Sequence, residues 1–98
     1  MTLTSKQRAF LRGKASMMEP IFQIGKSSLT PEIITAVDDA IEKRELIKVS
    51  VLKNCMDDPR SIAEMLGERT HAQVIAVTGR KIVLYRPKKK DSKIQLPQ

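Results

Sequence analysis

Few residues in this 98-residue chain have types and spacing suited to chemistry, and most of them stand alone. Gly25-Lys26-Ser27 lies between a short apolar run and a helix start, the setting of a phosphate-binding loop. The complete motif needs a glycine five residues before Gly25, and Pro20 stands there. No apolar run ending in a metal-binding aspartate follows, so nucleotide hydrolysis is set aside. The same segment has a simpler use. A short strand-to-helix turn directs backbone N–H groups outward beside the positive end of a helix dipole, and Lys26 adds a mobile cation. Gly25, Lys26, Ser27 and Ser28 are therefore either a clamp for a phosphate backbone or an ordinary tight turn with an exposed lysine.

The other candidates point away from catalysis. His71 has no serine, cysteine or carboxylate pair beside it and reads as a boundary histidine. Asp38-Asp39 falls on the wet side of a helix and Asp58 has a capping task, so both acidic pairs, Asp38-Asp39 and Asp57-Asp58, read as structural. Cys55 is the only cysteine, which excludes an intrachain disulfide and a multi-thiolate zinc site and suits a reducing compartment. The five methionines, Met1, Met17, Met18, Met56 and Met65, read as core or gap-filling residues. No catalytic residue, metal ligand or cofactor is expected.

Charge is the stronger signal. Lys and Arg total 18 against 11 Asp and Glu, a formal net charge of +7. Residues 1–30 hold five basic groups, Lys6, Arg8, Arg12, Lys14 and Lys26, against Glu19 alone. The middle of the chain is net acidic, and residues 71–98 hold seven basic groups against Asp91. Two basic ends around an acidic middle imply one strongly positive face, the footprint of a polyanion binder rather than of a merely solvated surface. Aromatics are limited to Phe10, Phe22 and Tyr85, too few for a sheet that stacks bases. The longest apolar runs are four residues, whereas a membrane span needs about 20. With no secretory signal at the N-terminus, the expected location is the cytoplasm and no membrane partner is expected.

These residues need elements to hold them. Thr4 and Gln7 form a capping box for a first helix ending near Ala15, with Leu3, Phe10 and Leu11 on one side and Arg8 and Arg12 on another. A short strand follows at 21–24. Thr30-Pro31-Glu32 opens a second helix running to about Glu45, with Ile33, Ile34, Val37 and Ile41 as its apolar stripe. Ile47, Val49 and Val51 alternate with Lys48 and Ser50, a strand with one buried and one wet face. Asp58-Pro59 opens a third helix with Ile62, Met65 and Leu66 inward, ending around Arg69. Strands at 73–77 and 81–85 join through Thr78-Gly79-Arg80, where Gly79 permits positive φ. The order α-β-α-β-α-β-β predicts an α+β, two-layer sandwich, with all helices on one face of a four-stranded mixed sheet. Residues 1–87 are expected to form one domain and 88–98 a basic tail, with a short docking segment at Ile94-Gln95-Leu96.

The ordered set Leu3-Thr4-Ser5-Lys6-Gln7-Arg8, Ile24-Gly25-Lys26, Leu29-Thr30, Glu45-Leu46-Ile47-Lys48-Val49, Gly79, Leu84-Tyr85-Arg86-Pro87 and Ile94-Gln95-Leu96-Pro97 resembles the small YhbY-type proteins, stand-alone CRM (chloroplast RNA splicing and ribosome maturation) domains. The resemblance implies a fold akin to the C-terminal domain of translation initiation factor three. It also implies RNA binding, association with precursors of the large ribosomal subunit and a part in their assembly. The family's Gly-x-x-Gly loop, similar to that of KH domains, falls on Gly25-Lys26-Ser27-Ser28, with Ser28 in place of the second glycine. A side chain there resists positive φ by roughly 1 kcal/mol, so either the turn differs or the close backbone approach is partly lost.

The expected function is a non-catalytic, monomeric RNA-binding module that recognises shape and phosphate. Its expected contacts are Gly25, Lys26, Ser27 and Ser28 at the loop, Arg8, Arg12 and Lys14 on the first helix, and Arg86, Lys88, Lys89 and Lys90 at the C-terminal end. The alternatives are a DNA-compacting architectural protein and an adaptor for acidic proteins.

Overall fold

A computed structural model describes residues 2–98; Met1 lies outside the described residues. The local signals act where they stand. Thr4 and Gln7 close the capping box at the start of α1 (Ser5–Ser16), with Gln7 N donating to Thr4 Oγ1 and Thr4 N to Gln7 Oε1. After β1 (Phe22–Ile24), Thr30 caps α2 (Pro31–Arg44) by accepting from Ile33 N. β2 (Leu46–Val51) leads to α3 (Pro59–Thr70), capped by Asp58. A hairpin of β3 (Gln73–Thr78) and β4 (Lys81–Tyr85) ends the regular structure, with Gly79 at φ +58° in its turn.

The sheet order is β1-β2-β4-β3. The β1–β2 pair, joined through α2, is parallel, and β4 runs antiparallel to both β2 and β3. This is the expected α+β fold with three helices and a four-stranded mixed sheet.

One feature of the layering differs from expectation: the helices are not all on one face. On the first face, Ile47, Val49, Val51, Ile82 and Leu84 pack with Val37 and Ile41 of α2 and Ile62, Ala63 and Leu66 of α3. On the second, Leu46, Ile75, Val83 and Tyr85 pack with Leu11 and Ala15 of α1. The polar residues of β2 suggested a wet second face. However, β4 is a central strand that is apolar on both sides, and Val83 and Tyr85 have to be covered. Helix α1 does this, and Ser50 is buried in consequence.

Several side chains also sit differently from expectation. The inward stripe of α1 is Leu11 and Ala15, four residues apart, which leaves Phe10 exposed. Met65 is likewise half in solvent, and Met17 and Met56 lie in the open rather than in a core. Cys55 is a buried free thiol.

Residues 88–98 complete the second layer. Ile94 and Leu96 pack on the α1 cluster, while Gln7 Nε2 donates to Pro97 O and Lys6 Nζ to Gln98 O. The segment turns around Glu45, which is 1 % exposed and whose carboxylate accepts from Lys88 N, Lys93 N and Ser92 Oγ. Burial alone would push this carboxyl up, but the donors from Ser92, Lys88, Lys93 and Ile94 together hold it below its ordinary value.

Candidate nucleic-acid interface

Because β1 and β2 are parallel, their carboxyl ends lie side by side, with Ile24 opposite Val51. The antiparallel β4 begins at the same end, with Lys81 opposite Ser50. Three connections therefore meet there: residues 25–30, residues 52–58 and the turn at Gly79-Arg80. In open α/β sheets this end, beyond the carboxyl termini of the parallel strands, is where ligands collect.

The three connections are tied to one another. Leu52 N donates to Ile24 O, Val51 N to Arg80 O, and Arg80 Nη1 to Leu52 O. Gly25 stands against Asn54: a Cβ built at position 25 would lie 3.3 Å from Asn54 Oδ1. The 25–28 turn closes through Ser28 N and Gly25 O at 2.9 Å, which leaves Lys26 and Ser27 at an exposed tip.

Ser28 answers the question raised by the missing glycine. It adopts φ +54°, the left-handed conformation a glycine would take, and its hydroxyl donates to Asp57 Oδ2 across the two loops. The turn keeps its shape with a serine because a partner holds that serine. Asp58 is occupied as the α3 cap, so both carboxylates of the 52–58 loop have internal tasks. The exposed groups left at this end of the sheet include the cations Lys26, Lys53, Arg80 and Lys81.

The expected basic residues are not all gathered here. Arg12 lies on the α1 face beside Lys48 and Lys81, around a crevice of about 230 Å³. Arg8 turns away from it, with Nη2 donating to Val74 O at 2.7 Å. Lys14 sits near Lys43, Arg44 and Lys93 at the opposite end of the sheet. Arg86, Lys88, Lys89 and Lys90 are also at that opposite end, around a depression shared with Glu42 and Lys43. Leu46 pairs with Tyr85 there, about 13 Å along the strand from the Ser50–Lys81 pair. The Arg86 guanidinium is pinned by Asp38 at 2.7 Å, Glu42 at 2.9 Å and the Thr70 carbonyl, which sets it against acceptors of the protein itself.

Lys48, Lys53, Arg80 and Lys81 were not among the residues singled out from sequence. Each looks by itself like a solvated strand or turn residue. The usable signal was the polar side of β2, where Lys48 and Ser50 alternate with valines, together with the two cations that follow Gly79. Their convergence follows only from the strand order.

The fold and these loops define a small α+β domain with cations and hydroxyls gathered at one end of its sheet. The CRS1 / YhbY (CRM) domain model matches residues 3–86, and the chain belongs to that family. It is 45% identical over 95 residues to the Bacillus subtilis protein named Probable RNA-binding protein YqeI, covering 97% of this chain and 99% of that one. A Haemophilus influenzae protein named RNA-binding protein is 34% identical over 97 residues, covering 99% and 97% of the two chains. The solution structure of a Staphylococcus aureus protein, described as a candidate RNA binder, superimposes with a TM-score of 0.82 at 46% identity, covering 98% of this chain and all of that one.

Proposed function

We propose that this protein binds RNA without catalysing a reaction, and that it acts in assembly of the large ribosomal subunit in the cytoplasm as a monomer. The observation that carries the RNA reading is the lashed set of loops at one end of the sheet. Lys26, Lys53 and Arg80 project from three tied connections, while the neighbouring carboxylates Asp57 and Asp58 are engaged elsewhere. Lys26 and Lys53, and the charge of Arg80 that its bond to the neutral Leu52 carbonyl leaves uncompensated, can replace counterions on phosphates, and a fixed turn tip offers backbone amides to one of them. Membership in the CRM family and the names of the relatives support RNA as the polyanion. The resemblance to ribosome-associated members of the family supports a pre-ribosomal particle as its source.

In this reading Gly25, Lys26, Ser27 and Ser28 grip the RNA backbone and Arg12 extends the contact along α1. Lys14, Lys88, Lys89 and Lys90 meet flanking phosphates at the far end, where Arg86 fixes the base of the tail. With three aromatic residues in the whole chain, recognition rests on shape and phosphate.

Two experiments test this. Sedimentation of a low-salt lysate should place the protein with free or immature large subunits and release it on ribonuclease treatment; a protein that stays at the top of the gradient contradicts the assembly role. Lys26→Glu should weaken binding to structured RNA about tenfold or more while leaving the melting temperature unchanged. Tighter binding of duplex DNA than of structured RNA would favour an architectural role on DNA instead.

A further inference from the structure

The crevice between α1 and the second sheet face is chemically unlike the loop end beside it. Its rim carries three cations, Arg12, Lys48 and Lys81, and none of the residues lining it is a carboxylate. Its floor is Ala15, Ala76 and Val83, three small apolar side chains from α1, β3 and β4. Ser16 and Thr78 add a hydroxyl on either side. Lys81 is held over the opening by donating its Nζ to Ser50 Oγ at 3.2 Å, so part of the rim is fixed in advance.

A bare phosphate would be served by the rim but would gain nothing from an alanine–valine floor. A cation is excluded by the rim. The combination fits a flat, weakly polar ring carried on an anionic chain, which is a nucleobase with its flanking phosphates. At about 230 Å³ the space is below the roughly 300–1,000 Å³ of a typical ligand pocket, enough for one base and no more. Continuity with the loop end is direct: Lys81 follows Arg80 in the chain, and Arg80 is bonded to the 52–58 loop that holds Ser28 through Asp57.

We infer that this crevice receives one unstacked nucleotide of the bound RNA, its base against Ala15, Ala76 and Val83 and its phosphates on Arg12, Lys48 and Lys81. This rests on the RNA reading above and adds to it a base-contacting subsite in a protein without aromatic platforms. The Thr78 hydroxyl is placed to meet a base edge or the ribose 2′-OH, whereas Ser16 Oγ donates to Gly13 O and can only accept from the ligand.

Nuclear magnetic resonance of the full chain tests the assignment. The methyl signals of Ala15, Ala76 and Val83 and the amide signals of Lys26 and Ser27 are followed during titration with a single-stranded oligoribonucleotide, a ribonucleoside 5′-monophosphate and inorganic phosphate. The expected result is that the oligoribonucleotide moves both sets and the monophosphate moves the crevice methyls, while inorganic phosphate leaves the methyls in place. Ala76→Leu, which fills the floor, should lower oligoribonucleotide affinity about tenfold, the scale of one lost base contact, with the loop amides still responding. Methyls that stay still while the loop amides shift would overturn the crevice assignment alone. Methyls that respond equally to inorganic phosphate would reduce it to an anion site. Silence of both sets would remove the RNA reading itself.

Discussion

Ser28 holds a conformation that its side chain opposes, and the compensation comes from one neighbour. Left-handed φ costs a non-glycine residue roughly 1 kcal/mol, and the bond to Asp57 returns about the same amount. Ser28→Gly should therefore leave stability nearly unchanged, since strain and bond disappear together. Asp57→Ala removes the bond and keeps the strain, and should lower stability by about 1 kcal/mol. The double variant should resemble Ser28→Gly alone, because the interaction Asp57 supplies no longer exists. Urea denaturation of the three variants checks this, and a large additive loss in the double variant would contradict the pairing. Lys26 was legible in the sequence because a local motif surrounds it. The Asp57 clamp was not, since nothing local links positions 29 residues apart.

At the scale of elements, two helical glycines behave oppositely. Gly13 in α1 has open space where a Cβ would stand, so Gly13→Ala should stabilise by about 0.5–1 kcal/mol through helix propensity. A Cβ at Gly67 in α3 would come within 3.1 Å of the Ala72 carbonyl and of Val74 Cγ2. The backbone carbonyl cannot easily give way, so Gly67→Ala should destabilise by about 1–2 kcal/mol despite the same propensity gain. Thermal melts of both variants decide the signs. The elements themselves were readable because their punctuation is local: Thr4 with Gln7, Thr30-Pro31, Asp58-Pro59 and Gly79 each act on neighbours in sequence. The side of the sheet that α1 covers was not. It is decided by Val83 and Tyr85, which sit in the unbroken run Ile82-Val83-Leu84-Tyr85, and such a run does not declare its faces until it is paired. The same pairing brings Arg80 and Lys81 to the end of the sheet where Lys26 and Lys53 stand, and sets Lys48 beside Lys81 on the α1 side.

For the molecule as a whole, Glu45 joins the two layers. It ends α2 at φ +68°, its carbonyl accepts from Arg86 N, and its buried carboxylate gathers the C-terminal segment over the α1 face. Its pKa is lower in the folded than in the unfolded chain, so the unfolded state binds the proton first on acidification. The stabilisation is fully present above the ordinary value of 4.5 and is lost as pH falls through the lower folded value. Acid unfolding should therefore begin below 4.5, with amide exchange at Lys88 and Lys93 rising first. Glu45→Gln should lower stability at neutral pH by about 1.5–3 kcal/mol and flatten that acid dependence. An unchanged acid profile in this variant would show that another carboxylate governs it. Tyr85 feels the same centre: burial and then the Glu45 charge push its phenol up.

Arg8 has a role apart from any ligand. The sheet has two open margins, β1 and β3, and an open margin invites a strand from another molecule. The first is only three residues long. The second is longer, but its register shifts between Val74 and Ala76, and the Arg8 guanidinium occupies the carbonyls of Val74 and Ile75 at that irregularity. A bent strand with two of its acceptors already taken is a poor template for addition of a foreign strand. The arginine that tethers α1 to the sheet thereby also blunts the longer edge of a basic, apolar-cored domain.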